Sequence, residues 1–164
     1  MKKLELAIKK ELNREYLDAV ELYEEEIQQN CNASIDAYIN LGFLYWEFAA
    51  EQIAFNDPND ISDKWSNIGG ERYPKIITQG LEQYPKSVEL HFWKKYFSHR
   101  LFCDNFTQEE CEAIVKEYGD DESLVPYFFL YIFDNDKYRD KRDELRKQCE
   151  ELLTAKNRYI LSFN

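Results

Sequence analysis

The chain's only imidazoles, His91 and His99, fall on one predicted helix with Lys94 and Lys95 between them. Spaced by eight positions, they lie about 80° apart around a helix axis and cannot clamp one metal as an i, i+4 pair can. They are expected to be structural or surface histidines. The four cysteines, Cys31, Cys103, Cys111 and Cys149, are scattered, with no C-x-x-C pair for zinc or redox chemistry, and are expected as reduced core thiols. The stretch Asp57-Pro58-Asn59-Asp60-Ile61-Ser62-Asp63 superficially suggests a calcium loop, but Ile61 and Ser62 stand at its fifth and sixth positions, where a ligand and an obligatory Gly belong. No Gly-rich phosphate loop, dinucleotide fingerprint or G-x-S-x-G elbow occurs. Paired carboxylates are abundant because acidic residues are, so they do not point to glycosidase chemistry. No catalytic residue, metal site or cofactor site is expected, and the chain is not expected to be an enzyme. An enzyme built from residues that meet only in the fold remains as an alternative.

The elements that would position these residues are helical. Tyr16, Ala19, Val20, Tyr23 and Ile27 recur on one helix face, with Asp18, Glu21, Glu24 and Glu25 on the other side. Ser34 to Ile53 is apolar nearly all round, with Asp36, Asn40 and Glu47 as a narrow polar stripe, as expected of a central helix covered on most sides. Phe55 to Gly70 gathers Asn, Asp, Pro, Ser and a Gly69-Gly70 pair and reads as a long inserted loop. Periodicity returns with Tyr73, Ile76, Ile77, Gly80, Leu81 and Tyr84 and stops at Pro85. A helix starting near Ser87 would bury Val88, Phe92, Trp93, Tyr96, Phe97 and Leu101. Thr107 and Glu110 form a capping box ahead of Cys111, Ile114, Val115 and Tyr118, and Gly119 suits that helix's end. The apolar run Leu124 to Phe133, behind Asp120, Asp121 and Glu122 and with Pro126 near its first turn, fits a helix or a buried strand. Residues 136–154 carry a narrow seam of Tyr138, Leu145, Cys149 and Leu152, as a terminal capping helix would, and 157–164 form a tail of open structure.

The 164 residues suffice to bury roughly 70% of the surface the unfolded chain would expose, so a single helical domain spanning 1–164 is expected. Aromatic residues make up 16% of the chain while Gly and Pro together number nine, a balance that favours helices with short connections over a many-stranded sheet. No signal peptide is evident at the N-terminus, and the longest apolar run is too short to span about 30 Å of hydrocarbon. A cytoplasmic location without membrane contact is expected. A net charge of −11, from 32 acidic and 21 basic side chains, repels a phosphate backbone and so disfavours nucleic acid. It would attract a basic protein, and it would also keep an aromatic-rich chain in solution.

A degraded period of about 34 residues is present. Tyr38-Ile39-Asn40-Leu41-Gly42-Phe43-Leu44-Tyr45 places an aromatic, Leu-Gly and Tyr at the offsets of the first helix of a tetratricopeptide repeat. Ile76 to Pro85, with Gly80-Leu81 and Tyr84-Pro85, resembles the second helix of that motif, as does Tyr16 to Ile27 through Ala19 and Tyr23. The resemblance covers about half the chain, and Val88 to Phe102 departs from it. It implies an all-α fold of about seven helices, stacked as antiparallel hairpins with a concave surface for protein contacts, in which Gly42 lets two helices approach closely. In overall character the chain is also similar to small acidic bacterial immunity proteins, which neutralise secreted, often basic nuclease toxins.

That class implies partner contacts from Asp57, Asp60, Asp63 and Trp65 in the expected loop and from Glu21, Glu24 and Glu25 on the acidic helix face. Against these stand a Trp65 folded onto the core and a merely solvated glutamate stripe. An alternative is a tetratricopeptide-like adaptor or chaperone grasping a peptide with His91, Lys94, Lys95 and Arg100.

Overall fold

In the computed structural model, which describes residues 2–119 and 123–163, every regular element is helical. Asp120, Asp121, Glu122 and Asn164, to which the sequence assigns a polar lead-in and the end of a tail, lie outside the described residues. Helix α1 (Lys3–Leu12) packs on α2 (Tyr16–Gln29), whose buried face is Tyr16, Ala19, Val20 and Tyr23, as the periodicity requires. Helix α3 (Ile35–Ala50) starts where the Ser34 hydroxyl accepts from the Asp36 amide, and it buries every residue from Ala37 to Phe48. It touches α2, α4, α5 and α9, so it is the central helix. Its expected polar stripe is only partly solvated, because Asn40 and Glu47 are 6% and 5% exposed.

The long loop expected over residues 55–70 is not present. The chain leaves α3 through a π turn (Gln52–Asn56) and a 3₁₀ turn (Asp57–Asn59), and α4 (Lys64–Gln83) already includes Trp65, Gly69 and Gly70. Tertiary packing overrides the weak helix propensity of the glycines. A Cβ on Gly69 would stand 2.1 Å from the Tyr45 carbonyl oxygen, and one on Gly42 would stand 2.7 Å from Ile77 Cδ1. Residues without side chains therefore let α3 and α4 cross closely, the role expected of Gly42, and this is the most extensive helix pair in the fold. Pro74 sits inside α4, where it withholds its amide from the Gly70 carbonyl.

Helix α5 (Val88–Phe102) is capped by Ser87, whose hydroxyl accepts from the Leu90 amide at 3.1 Å. The capping box at Thr107 is formed reciprocally with Glu110, at 2.9 and 3.1 Å, and opens α6 (Gln108–Glu117). The apolar run is a helix rather than a strand: α7 (Tyr127–Phe133) follows a turn at Val125 and Pro126. Helix α8 (Asn135–Glu151) buries Tyr138, Leu145 and Cys149, but Leu152 lies beyond its end and is exposed. It is not terminal. The expected tail folds as α9 (Ala155–Leu161), capped by Thr154, which returns to pack on both α8 and α3. Buried Tyr159 and Ile160 supply its apolar face. Among the described residues there are thus nine α-helices rather than about seven.

The core is built of aromatic rings. Trp46 stacks on Phe97 at 4.9 Å, Phe43 meets Trp93 edge-on at 5.3 Å, and Tyr159 meets Trp46 edge-on at 5.5 Å, which knits α3, α5 and α9 together. Of the four thiols, Cys111 and Cys149 are buried, but Cys31 and Cys103 are exposed, contrary to the expectation of four core cysteines. Cys31 sits in the α2–α3 connection and Cys103 caps α5 in a left-handed conformation, both outside the helix faces that build the core. Among the described residues no helix is long and apolar enough to cross a membrane.

Candidate partner-binding groove

Helices α2 and α4 both pack on α3, leaving between them an open groove of about 1110 Å³ floored by Tyr38 and Tyr45 of α3. The face that α2 buries decides what it shows here. With Ala19, Val20 and Tyr23 turned inward, Glu21, Glu24 and Glu25 line the groove. Across from them, α4 buries Tyr73, Ile76, Ile77 and Gly80 and contributes Trp65, Arg72, Lys75 and Glu82. Five carboxylates, including Asp18, face only two cations, so the groove is acidic.

One contact bridges the two walls. Arg72 Nη1 donates to the Tyr45 hydroxyl at 3.1 Å, and that hydroxyl donates to Glu24 Oε1 at 2.5 Å. The guanidinium lies 5.8 Å from the Tyr45 ring centroid. Burial and the neighbouring Glu24 push the Tyr45 phenol far above its ordinary pKa, so it remains a donor throughout the physiological range. Glu25 pairs with Lys3 of α1 at 3.0 Å, whereas Glu21 and Glu82 have no ion-pair partner among the described residues.

Four of the seven residues singled out from the sequence, Glu21, Glu24, Glu25 and Trp65, meet in this groove. Trp65 is half-buried and sits edge-on to Phe48 at 5.9 Å, so it both folds onto the core and presents an edge to the groove. Asp57, Asp60 and Asp63 are exposed on the 3₁₀ turn and the connection into α4 and do not line it. Arg72, Lys75 and Glu82 also line the groove and are not among the residues that the sequence singles out. They lie on the outer face of α4, opposite the residues it buries.

The histidines have structural partners. His91 stacks on Tyr118 with centroids 3.7 Å apart and its Nε2 lies 2.8 Å from the Pro85 carbonyl oxygen, while His99 Nδ1 lies 2.8 Å from the Asp104 carbonyl oxygen. Lys94 and Lys95 are exposed, and neither they nor Arg100 reach the groove. Among the described residues no group of three or more His, Cys, Asp or Glu is placed to hold a metal ion. The chain matches no family model, no curated protein and no solved structure.

Proposed function

We propose that the chain is a protein-binding module that receives a basic segment of a partner in the groove between α2 and α4. The observation that carries this is the groove itself: wide, acidic in balance with its carboxylates concentrated on the α2 wall, and floored by tyrosines. Long-range attraction would raise the rate of encounter, and aromatic surface at Tyr38, Tyr45 and Trp65 would supply contact area once water is expelled. The helix order, with each helix packed on its chain neighbours, supports a degenerate tetratricopeptide-like arrangement. The most specific form of the proposal is a cytosolic immunity protein that neutralises a basic toxin, possession of a plug-like acidic surface being all that such an inhibitor needs.

The test is retention of partners from native cytosol at low and at moderate salt, comparing the wild type with a Glu21→Lys, Glu24→Lys, Glu25→Lys variant. A stoichiometric basic polypeptide, released by salt and absent from the variant, supports the proposal. The same polypeptide lost only when Asp57, Asp60 and Asp63 are reversed would move the contact to the turn. Many unfolded chains held regardless of salt would favour an adaptor or chaperone.

A further inference from the structure

A second cavity, of about 420 Å³, opens where the α1–α2 turn, the end of α3, the π turn, α5 and α9 converge, and it shares no lining residue with the groove. In a chain of net charge −11, three arginines line it: Arg14, Arg100 and Arg158. Among the described residues none of the three has a carboxylate within ion-pairing distance. Arg158 is oriented by its Nε, which donates to the Leu153 carbonyl at 3.0 Å, and Arg100 lies against the Tyr159 hydroxyl. Arg14 occupies a left-handed conformation, with φ of 61°, where glycine costs least. A bulky cation thus stands at a backbone position that disfavours it.

The cavity also holds an orphan. Glu47 is 5% exposed, lines this space, and its Oε2 has no hydrogen-bond partner. Burial, together with Glu51 and Glu11 nearby, drives its carboxyl well above the ordinary carboxylate range, which favours the protonated form, able to donate. Glu51 is the cavity's other carboxylate. Three guanidiniums against its single charge leave two positive charges to be balanced, which suits a dianion better than a monoanion, and planar guanidiniums match tetrahedral oxyanions through paired donors.

We propose that this cavity binds a small phosphate monoester, its phosphate held by Arg14, Arg100 and Arg158 and its body resting against Ala54, Pro58 and Phe163. Glu47 supplies a further donor from the buried wall. The volume exceeds what a bare phosphate fills and lies within the range of small-molecule sites. The site is independent of the groove and stands or falls without it.

The experiment is a thermal-unfolding screen against sugar phosphates and nucleoside monophosphates, each beside its unphosphorylated counterpart and inorganic phosphate at matched ionic strength, followed by calorimetric titration of the best binder. At least one monoester is expected to raise the unfolding midpoint, with its unphosphorylated form inert and inorganic phosphate at least tenfold weaker. Arg100→Ala with Arg158→Ala should weaken binding at least tenfold. Glu47→Gln, which keeps a donor, should stay within about threefold of wild type, and Glu47→Leu should lose about tenfold. No stabilisation by any monoester, equal binding of an unphosphorylated counterpart or of inorganic phosphate, or undiminished affinity in the double arginine variant would each overturn the proposal.

Discussion

Glu11 and Ala155, 144 positions apart, are joined directly: the Ala155 amide at the start of α9 donates to Glu11 Oε1 at 2.7 Å. The other carboxylate oxygen accepts from the Tyr23 hydroxyl at 2.6 Å, and Asn40 Nδ2 donates to that same hydroxyl at 3.1 Å. A single side chain on α1 thus anchors α2, α3 and α9 around itself. Glu11 is 1% exposed, and burial pushes its carboxyl up to about 7, against the opposing pull of Tyr23, Ala155 and Lys156.

The pH dependence of stability follows. Between the ordinary carboxylate range and pH 7 the native chain keeps a proton on Glu11 that the unfolded chain has released. The contribution is therefore full below that ordinary range and is lost as pH rises through about 7, over a range worth on the order of 3 kcal/mol. Glu47, also raised, acts in the same direction. Denaturant unfolding at pH 5 and pH 8 should show Glu11→Gln gaining on the wild type as pH rises. A constant difference between the two proteins would show that Glu11 does not titrate in this window.

Adjacent glycines in α4 should respond oppositely to alanine. A Cβ at Gly69 meets backbone, the Tyr45 carbonyl oxygen at 2.1 Å, so Gly69→Ala must push α4 from α3 and should cost about 3 kcal/mol or more. A Cβ at Gly70 finds only Ala49 Cβ at 3.8 Å, an ordinary contact. Gly70→Ala should stabilise by up to about 1 kcal/mol through helix propensity. Thermal midpoints moving down for the first and up for the second would confirm the crossing; equal shifts would refute it.

Glu89 and Lys156 form the least exposed ion pair among the described residues, 2.9 Å apart with side chains 12% and 13% exposed. Glu89 also accepts from Trp93 Nε1 at 2.9 Å. Glu89→Ala strands a buried ammonium and an indole donor and should destabilise by about 3–5 kcal/mol. Glu89→Ala combined with Lys156→Met should recover most of the loss, measured by chemical unfolding, since the uncompensated charge is then gone.

Thiol labelling of the native protein should stop at two equivalents. Cys31 and Cys103 are exposed, whereas burial pushes the Cys111 thiol up to about 12 and that of Cys149 up to about 11. Only thiolates react quickly, so Cys111 and Cys149 should be labelled only on unfolding. Mass spectrometry after brief maleimide exposure distinguishes the sets.

What the sequence revealed was what is local. The inward face of α2 follows from 3.6-residue spacing, and the starts of α5 and α6 follow from Ser87 and from the Thr107–Glu110 pair, whose partners lie three residues away. Residues 55–70 misled because the reason for Gly69 lies on another helix, at the Tyr45 carbonyl. The facing wall is less legible: Glu21, Glu24 and Glu25 stand out on α2 as an acidic stripe, whereas Arg72 and Lys75 are two ordinary cations on the outer face of α4, and only the packing of both helices on α3 sets them opposite. The arginine cavity was beyond any local pattern. Arg14, Glu47, Arg100 and Arg158 come from four separate parts of the chain and meet only through the packing of α2, α5 and α9 on α3.

The placement of the three tryptophans gives the protein an internal optical reporter. Trp46 and Trp93 are fully enclosed among aromatic rings, Trp93 also donating to Glu89, so their emission is a fixed background until the chain unfolds. Trp65 alone stands half in water on the wall of the groove, and its colour tracks how wet that wall is. A partner settling between α2 and α4 would drive water from that one indole and shift the light it emits, while occupation of the arginine cavity would leave it unchanged.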